Sequence, residues 1–334
     1  MSRKFVNDST GRFVKPKVVV SRCIGFENCR YNGQIISSDE VKEMRDHVDF
    51  ITVCPESEIG LGVPRDPVRL ISDVEEKRLV QPNTGKDFTK EMLDYSEDFL
   101  TKNSDVDGFI LKSKSPSCGL KETRIYTGID DHSTRGKGAG FFGNEVLKRH
   151  PRKAIETEGR LRNYQIREHF LTKIYAFADF REQKRSQDLE RLKKYHDHNR
   201  LLFKSYDEEL YNKMDEVLKQ NDEVFELYDR YEALLYELFN QAPQCESKIQ
   251  IMDELFQVFK DMIDKDEIDF FKESLEDYSK GNTSLNVPLS ILYTWLLRFK
   301  DSNLKDQSFF FPYPRDLVRL EDVRTCISRD YWNF

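Results

Sequence analysis

The sequence of 334 residues has no apolar run long enough to cross a membrane, which excludes a conventional membrane-spanning helix. Its N-terminal segment also lacks the apolar core of a signal peptide, so we expect a cytoplasmic protein. Basic residues are not in excess: the formal net charge is −7, which disfavours a general nucleic-acid binder. No Cys-x-x-Cys pair occurs, so the knuckle typical of zinc ribbons is absent.

Glycine and proline are both absent between Gly159 and Pro243. Within this stretch apolar side chains recur every three or four positions, which is typical of amphipathic helices. These positions are Leu210, Met214, Val217, Val224, Tyr228, Tyr231, Leu235 and Leu238. A second run with the same period covers Ile249–Leu275, and Pro288 stands near the first turn of a further helix. The second half of the chain is therefore predicted to be mostly helical.

The first half alternates between two kinds of segment. Three short runs rich in β-branched and aromatic residues have the character of buried strands: Val18–Val20, Val48–Val53 and Val106–Leu111. Helix-like stretches separate them, at Ser38–Arg45 and Thr89–Leu100. Strands that alternate with helices form a parallel sheet through right-handed crossovers. We therefore predict an α/β N-terminal domain with a parallel sheet, followed by an all-α helical C-terminal domain.

Three regions follow from this change of pattern. The α/β domain is predicted over residues 15–160, a helical linker over residues 161–189, and the all-α domain over residues 190–334. The first half is nearly neutral, whereas the second half carries the excess of acidic residues. The two halves therefore differ in charge as well as in predicted structure.

Each of the three predicted strands leads directly into a loop that contains cysteine. Cys23 and Cys29 follow the first strand, Cys54 follows the second, and Cys118 follows the third. Loops at the carboxyl ends of parallel strands meet at one crevice, where ligands bind. Small buried thiols near strand ends are the alternative explanation, but the same placement after three strands favours a shared site.

Three or four converging thiolates can hold either of two metal centres. Four cysteines on one zinc ion would make a closed, structural site. An iron–sulfur cluster is the other choice, and a proline after the cysteine, as in Cys54-Pro55, is common in ferredoxin-type loops. Three thiolates on a four-iron cluster would leave one iron open to bind a soft sulfur ligand as a Lewis acid. The spacing alone leaves both centres open, and the missing Cys-x-x-Cys pairs favour iron mildly.

Several groups of residues resemble one protein family in their order and spacing. They are Cys23-x-Gly25-x-x-x-Cys29-Arg30-Tyr31-Asn32-Gly33, Val53-Cys54-Pro55-Glu56, Gly60-x-Gly62-x-Pro64-Arg65, Ser115-Pro116-Ser117-Cys118-Gly119, Gly138-Ala139-Gly140 and Glu158-Gly159-Arg160-Leu161. From about Val18 to about Leu161 the chain resembles the domain of unknown function 523 (DUF523), the family typified by the thiouracil desulfidases. From about Glu190 it resembles the helical domain of unknown function 1722 (DUF1722), and that resemblance supplies no biochemical role.

The resemblance implies a 4Fe–4S cluster held by Cys23, Cys54 and Cys118, with one iron left open. That iron would take the sulfur from the thiocarbonyl group of a thiolated pyrimidine, and sulfide would be released without net redox change. Cys29 is open to three interpretations: a fourth ligand, a thiol that accepts sulfur, or a buried residue. The resemblance favours leaving it out of the ligand set.

Attack of water on a thiocarbonyl carbon requires a general base, and an acid must return a proton. Glu56, two residues after Cys54, is our choice for the base, with a first-turn helix carboxylate as the alternative. Ser115 and Ser117 are candidates for orienting substrate or water, unless they are ordinary turn hydroxyls. Arg65 is a candidate for binding a pyrimidine carbonyl, with a loop salt bridge as the alternative.

The resulting hypothesis is a cytosolic desulfidase for a small, thiouracil-like molecule, with the helical domain as a lid, a dimerisation surface or an adaptor for a partner. The alternative is a binding module that zinc or a closed cluster stabilises and whose helices recruit RNA or protein. A third hypothesis is a sulfur-handling partner of tRNA-modifying machinery, which acts on thiolated tRNA. No membrane partner is expected.

Three weaker features remain. The run Gly138–Gly143 fits Gly-x-Gly-x-x-Gly but has no clear strand before it, so we predict a loop that leads into a helix N-terminus and contacts a phosphate or a carbonyl. His196 and His198 are two positions apart and do not share a helix face, so solvated or capping roles are favoured over metal binding. Cys245 and Cys326 lack partners in the sequence and are expected to be inert.

Overall fold

The computed structural model describes residues 13–72, 76–129 and 133–318. The chain divides into two compact units: one covers Lys15–Asn163, and the other joins the described residues before Lys15 to those from Tyr164 onward. The first unit is α/β and the second is mostly helical, which confirms the predicted fold class. Within the described ranges no helix is both long enough and apolar enough to cross a membrane.

The α/β unit contains two sheets. Its strands among the described residues are β1 (Lys17–Ser21), β2 (Asp49–Val53), β3 (Arg69–Ser72), β4 (Lys77–Gln81), β5 (Lys86–Asp87), β6 (Gly108–Leu111), β7 (Thr123–Tyr126), β8 (Thr134–Gly138) and β9 (Ala154–Thr157). One sheet has four parallel strands in the order β2-β1-β6-β9. The other has five strands in the order β5-β4-β3-β7-β8, in which only the β3–β7 pair is parallel.

The four-stranded parallel sheet is the one that the β-branched runs predict. Val18, Val19 and Val20 of β1 are fully buried, as expected for a central strand of a parallel sheet with both faces covered. The helices of this unit are α1 (Asp39–Met44), α2 (Pro55–Glu58), α3 (Thr89–Lys102) and α4 (Phe141–Arg149). The hydroxyl of Ser38 caps α1 by accepting a hydrogen bond from the Val41 amide.

The five-stranded sheet is not predicted by the sequence patterns. Its strands are short and carry basic residues, and the edge strand β8 is exposed along most of its length. Leu70 and Leu79 nevertheless pair across β3 and β4 and are fully buried, so the inner strands contribute to the core of the unit. Because β8 ends at Gly138, a strand does lead into the glycine run, contrary to the expectation from sequence.

The second unit is built from helices around an aromatic core. They are α5 (Tyr164–Ser186), α6 (Leu189–His198), α7 (Arg200–Tyr206), α8 (Glu208–Leu218), α9 (Val224–Leu238), α10 (Cys245–Phe259), α11 (Lys265–Ser279), α12 (Asn286–Phe299) and α13 (Ser302–Lys305). Fully buried rings in this core include Phe203, Tyr228, Tyr231, Phe239 and Phe271. The apolar periodicity of the sequence therefore identifies both the helices and the faces that they bury.

Two expectations for the helical unit are wrong. His196 is buried rather than solvated: its Nδ1 atom lies 3.0 Å from the Tyr231 hydroxyl, and its ring stacks on Tyr211 at 4.7 Å. Burial lowers the pKa of His196 to about 4. Cys245 is disulfide-bonded, so it does have a partner. Cys326 lies outside the described residues.

Candidate active site

The carboxyl ends of the four parallel strands form one edge of their sheet. The register places Ser21, the last residue of β1, opposite Val53, the last residue of β2. It likewise places Leu111 at the end of β6 opposite Thr157 at the end of β9. Since β1 and β6 are neighbours, the segments that leave these strands begin side by side. The three cysteine loops therefore start at the same edge, where ligands bind in parallel sheets.

Four cysteines gather at this edge. Cys29, Cys54 and Cys118 are buried, and Cys23 is half-buried. The Cys29 thiol is hydrogen-bonded with the thiols of both Cys23 and Cys54, and the Cys54 sulfur lies 3.8 Å from the Cys29 carbonyl oxygen. Cys118 approaches from the third loop, close enough to Cys54 for their charges to interact. The structure thus brings together all four cysteines that follow the predicted strands.

Three of these thiols, those of Cys29, Cys54 and Cys118, resist ionisation in the protein alone. The hydrogen bond with Cys23 raises the pKa of the Cys29 thiol to about 11, and burial raises the pKa of Cys118 to about 12. The pKa of Cys54 is raised further, first by its contact with Cys29 and then by burial. Arg22 acts in the opposite direction on Cys29, but its guanidinium is already in an ion pair. A metal bound to these sulfurs would supply the missing positive charge.

The donor set is chemically suited to an iron–sulfur cluster. In the part of the chain that the structure describes, no three Cys, His, Asp or Glu side chains are placed to hold one metal ion. A cluster spreads its thiolate ligands around a larger inorganic core, so sulfurs from separate loops suit it. Buried, soft donors from three loops at one sheet edge therefore match the needs of a cluster.

Glu56 stands in the first turn of α2, beside Cys54, and is buried. The Ser117 hydroxyl donates a hydrogen bond of 2.7 Å to Glu56 Oε1. It also lies 2.9 Å from the Ser115 hydroxyl and 3.8 Å from the sulfur of Cys118. Ser115 Oγ accepts a hydrogen bond of 3.1 Å from the Cys118 amide. One carboxylate, two hydroxyls and one thiol thus form a connected group.

The Arg65 guanidinium is bonded to groups of the protein itself. Only 4% of its side chain is exposed, and its Nε and Nη2 atoms donate to Glu56 Oε2 at 2.9 and 2.7 Å. Its Nη1 atom donates to the carbonyl oxygens of Cys29 and Gly62 at 3.0 and 2.9 Å. These contacts use four of the five N–H groups of a guanidinium. The geometry supports the salt-bridge interpretation of Arg65, and its contact with substrate stays a prediction.

The glycine run holds the third cysteine loop from one side. Three amides at the start of α4 donate to carbonyl oxygens of that loop, at 2.7 to 3.1 Å. The pairs are Gly140 to Gly119, Phe141 to Pro116 and Gly143 to Ser117. A Cβ atom at Gly140 would lie 2.4 Å from Ser117 O, so the close approach of the two backbones requires glycine there. The predicted contact of this run is therefore with backbone carbonyls.

Glu158 is a polar residue of this edge that the sequence does not single out for a role. It comes directly after β9, is buried, and accepts hydrogen bonds from Lys112 Nζ at 2.6 Å and from the amide and hydroxyl of Ser113, both at 2.8 Å. Burial alone would raise the pKa of Glu158, but the contacts with Lys112 and Ser113 lower it. Glu158 follows a strand end, which would have marked it as a candidate site residue. The strand itself, Ala154–Thr157, is not recognisable in the sequence as a buried strand.

Tyr95 is a second residue near the cysteines without a sequence signal. It lies on α3, where its ring contacts Phe99. Burial raises the pKa of its hydroxyl, and so does negative charge at Glu58, Cys118 and Cys54. A single tyrosine in an amphipathic helix is indistinguishable by pattern from any other core-facing aromatic residue.

Comparison with known proteins agrees with this two-part architecture. The 2-thiouracil desulfurase family matches residues 18–158, and the family described as a protein of unknown function, DUF1722, matches residues 200–314. An uncharacterized protein of Bacillus subtilis (strain 168), YbbK, is 31% identical over 109 residues, which are 30% of this chain and 72% of the relative. A solved structure described as a 4Fe–4S-dependent thiouracil desulfidase, TudS, is 26% identical and matches 44% of this chain and 94% of its own, with a TM-score of 0.35.

The fold and the site together define a two-part protein whose α/β unit gathers cysteines at the carboxyl edge of a parallel sheet. The chain belongs to the 2-thiouracil desulfurase family, with a DUF1722 region in its helical unit. Family membership supports a desulfidase-like function and confirms the resemblance seen in the sequence motifs.

Proposed function

We propose that this protein is an iron–sulfur-dependent desulfidase that removes sulfur from a thiolated pyrimidine as sulfide. Family membership supports the chemistry and the thiouracil-like substrate class. The observation that carries the proposal is the hydrogen bond between Ser117 and Glu56 beside Cys118. This contact joins a proton acceptor to the cysteine group, which a purely structural metal site does not need.

Cys23, Cys54 and Cys118 would hold a 4Fe–4S cluster, with one thiolate from each strand-end loop. When bound through three cysteines, such a cluster supplies a Lewis-acidic iron that can bind a soft sulfur. Cys29 contacts the thiols of Cys23 and Cys54. Its position near them is therefore consistent with a fourth ligand and also with a neighbour of the cluster. We assign Cys29 to the surroundings of the cluster, because a fourth thiolate would close the iron that the reaction needs.

Glu56 would take the proton from the water that attacks the thiocarbonyl carbon. Arg65 holds Glu56 Oε2 with two N–H groups, and Oε1 remains directed at the Ser117 hydroxyl. Ser117 would orient the water or the substrate between Glu56 and Cys118, and Ser115 would fix the direction of the Ser117 hydroxyl. Overall, C=S becomes C=O and the sulfur leaves as sulfide, so the reaction needs no external oxidant or reductant.

The test is the metal content and activity of the whole chain, prepared without oxygen. We expect a brown protein with iron and acid-labile sulfide in equal amounts, because thiolate-bound clusters are chromophores. It should release sulfide and uracil from thiouracil, and a parallel assay with thiolated tRNA distinguishes a small substrate from a macromolecular one. A colourless protein that carries one zinc ion would overturn the proposal.

Cysteine variants provide the matched controls. Cys23→Ala, Cys54→Ala and Cys118→Ala should each lose most of the iron and the activity. Cys29→Ala should keep its iron, because Cys29 is placed outside the ligand set. Equal loss of iron in Cys29→Ala and Cys23→Ala would favour a closed, structural centre over a desulfidase.

A further inference from the structure

Glu158 anchors the residue at which the third cysteine loop begins. Its carboxylate accepts three hydrogen bonds of 2.6 to 2.8 Å, two of them from Ser113 and one from Lys112 Nζ. Lys112 Nζ also contacts the carbonyl oxygen and the hydroxyl of Ser113, at 2.9 and 3.0 Å. The residue after β9 thus fixes the residues that follow its neighbour β6 through one carboxylate. The Ser113 backbone is fixed directly, since its own amide is one of the donors.

The next residue, Lys114, has a left-handed backbone with φ of 59°. A residue with a Cβ atom adopts this conformation at a cost, so the surrounding contacts must hold it. Lys114 is exposed, and the described structure gives its side chain no contact that would compensate. The nearest fixed point on the strand side is the Ser113 amide, bonded to Glu158. Beyond Lys114 lie Ser115, Ser117 and Cys118, which the proposed function uses.

The far side of the same loop is anchored independently. The amides at the start of α4 bind the carbonyls of Pro116, Ser117 and Gly119. Thr123 Oγ1 donates to the Ser115 carbonyl oxygen at 2.9 Å. Glu158 and α4 therefore hold opposite ends of the segment between residues 113 and 119. With only one end held, the left-handed turn at Lys114 would be free to relax toward an ordinary backbone conformation.

A second connection runs from the clamped residues to Cys118 itself. The Lys112 amide donates to Ser21 Oγ at 2.9 Å. Ser21 is the last residue of β1, is buried, and its hydroxyl is hydrogen-bonded with the Cys118 thiol. The exit of β6, the end of β1 and the third cysteine are therefore linked by side-chain contacts as well as by the chain.

We propose that Glu158 is a positioning residue, which together with Lys112 holds the left-handed turn at Lys114 and so presents Ser115, Ser117 and Cys118 to the site. This inference deepens the proposed function, and it rests on that function only for its catalytic consequence. The clamp itself is a property of the protein without metal, so it can be tested without activity.

The direct test is the reactivity of Cys118 toward iodoacetamide in metal-free protein, followed by mass spectrometry. Cys118 is 5% exposed and Cys29 is 2% exposed, and they stand on different loops, so Cys29 is an internal reference. In Glu158→Gln we expect Cys118 to react about tenfold faster while Cys29 keeps its rate, because only the third loop opens. Glu156→Gln is the matched control, since Glu156 lies on β9, two residues before Glu158, and pairs with Arg160.

A rescue experiment separates positioning from general stability. Lys114→Gly removes the backbone cost of the left-handed turn, because glycine adopts positive φ freely. In the double variant Glu158→Gln with Lys114→Gly, Cys118 should return to within about twofold of its wild-type rate if the turn is what Glu158 holds. If Glu158→Gln does not fold, Lys112→Met with the same rescue replaces it. Unchanged Cys118 reactivity in folded Glu158→Gln, or no rescue by glycine, would overturn the clamp.

Kinetics of the loaded enzyme then test the catalytic consequence. We expect kcat of Glu158→Gln to fall about tenfold, with KM within about twofold and iron content unchanged, as for a misplaced orienting group. The glycine double variant should recover most of the lost kcat. If the wild-type protein lacks desulfidase activity, the proposed function fails while the alkylation result still decides on the clamp. A fall in kcat that glycine does not repair would contradict the positioning role.

Discussion

The two units of this protein place their buried polar groups differently. In the α/β unit, Ser21, Glu56 and Ser117 are buried at one sheet edge and are linked to each other or to cysteine. Glu158, at the same edge, is bonded to Lys112 and Ser113. In the helical unit, several buried polar side chains instead form pairs within an aromatic core. Examples are His169 with Tyr206, His196 with Tyr231, and Ser205 with the Leu202 carbonyl.

Under the proposed function, this difference separates groups that serve chemistry from groups that serve the fold. Paired polar groups in a core satisfy each other and contribute modestly to stability. A connected set beside reactive thiols instead fixes the direction of donors and acceptors, which matters for a reaction more than for folding. Equivalent substitutions in the two units should therefore change different measured quantities.

The largest effect is expected at Glu56. Glu56→Gln removes the base, so kcat should fall by about 10²- to 10⁴-fold. The remaining amide oxygen can still accept from Arg65, and the new NH2 group can donate to the Ser117 hydroxyl, which keeps the local contacts. Iron content should be unchanged, because Glu56 is not among the proposed ligands. The measurement is thiouracil turnover at saturating substrate. Glu91→Gln, an exposed first-turn glutamate of α3, is the control and should keep wild-type kcat.

Retention of near wild-type kcat by Glu56→Gln would remove the base from the mechanism. Tyr95 would then be the next group to test, since its hydroxyl lies near Cys54 and Cys118. The distinction between the two units would still hold for the other polar residues of the edge.

The position of this site could be predicted from sequence, whereas its connections could not. Cys54 and Cys118 each follow a predicted parallel strand, and loops after parallel strands meet at one edge of the sheet. This rule predicts that the two cysteines lie close together without any knowledge of side-chain geometry. The bond from Arg65 to Glu56 depends on how a loop folds back, which no local pattern encodes. Glu158 belongs to a motif that resembles the family, but its contacts were not predicted because the strand before it is short and polar. The five-stranded sheet was missed for the same reason.

The sequence also provided little information about which polar residues of the helices are buried. His196 is one of several polar residues in its helix, and the pattern favours a solvated position. Its burial arises from contacts with Tyr211 and Tyr231 on other helices, so only tertiary structure reveals it.

Ser117→Ala should produce the next largest effect. The variant removes the hydrogen bond to Glu56, and a bond to a charged group contributes about 1.5–3 kcal/mol, so kcat should fall by about 10- to 100-fold. Ser274→Ala is the matched control in the helical unit, because Ser274 is also buried and its hydroxyl donates to the Phe271 carbonyl oxygen. That control should keep wild-type kcat. Equal losses of activity in the two serine variants would contradict the separation of roles.

His196 predicts a pH dependence of stability in the helical unit. Burial holds its pKa at about 4, whereas the unfolded chain takes up the proton near pH 6.5, so stability is complete above pH 6.5 and is lost as the pH falls toward 4. At pH 5 this group should cost about 2 kcal/mol of unfolding free energy. His196→Gln should be measurably less sensitive to pH in urea unfolding followed by far-UV circular dichroism. The same slope in both proteins would show that His196 does not govern it.

The smallest effect is expected for a hydroxyl deletion in the helical core. Tyr228 donates a hydrogen bond of 2.9 Å to the Asp188 carbonyl, and Asp188 is exposed, so water can replace the lost donor. Tyr228→Phe should therefore lower the unfolding free energy by only about 1 kcal/mol and leave kcat at the wild-type value. Urea unfolding and thiouracil turnover of the same preparation provide both readings. Ser117→Ala and Tyr228→Phe each remove one buried hydroxyl, the first from the α/β unit and the second from the helical unit. A large loss of activity in Tyr228→Phe would mean that the helical core takes part in the chemistry.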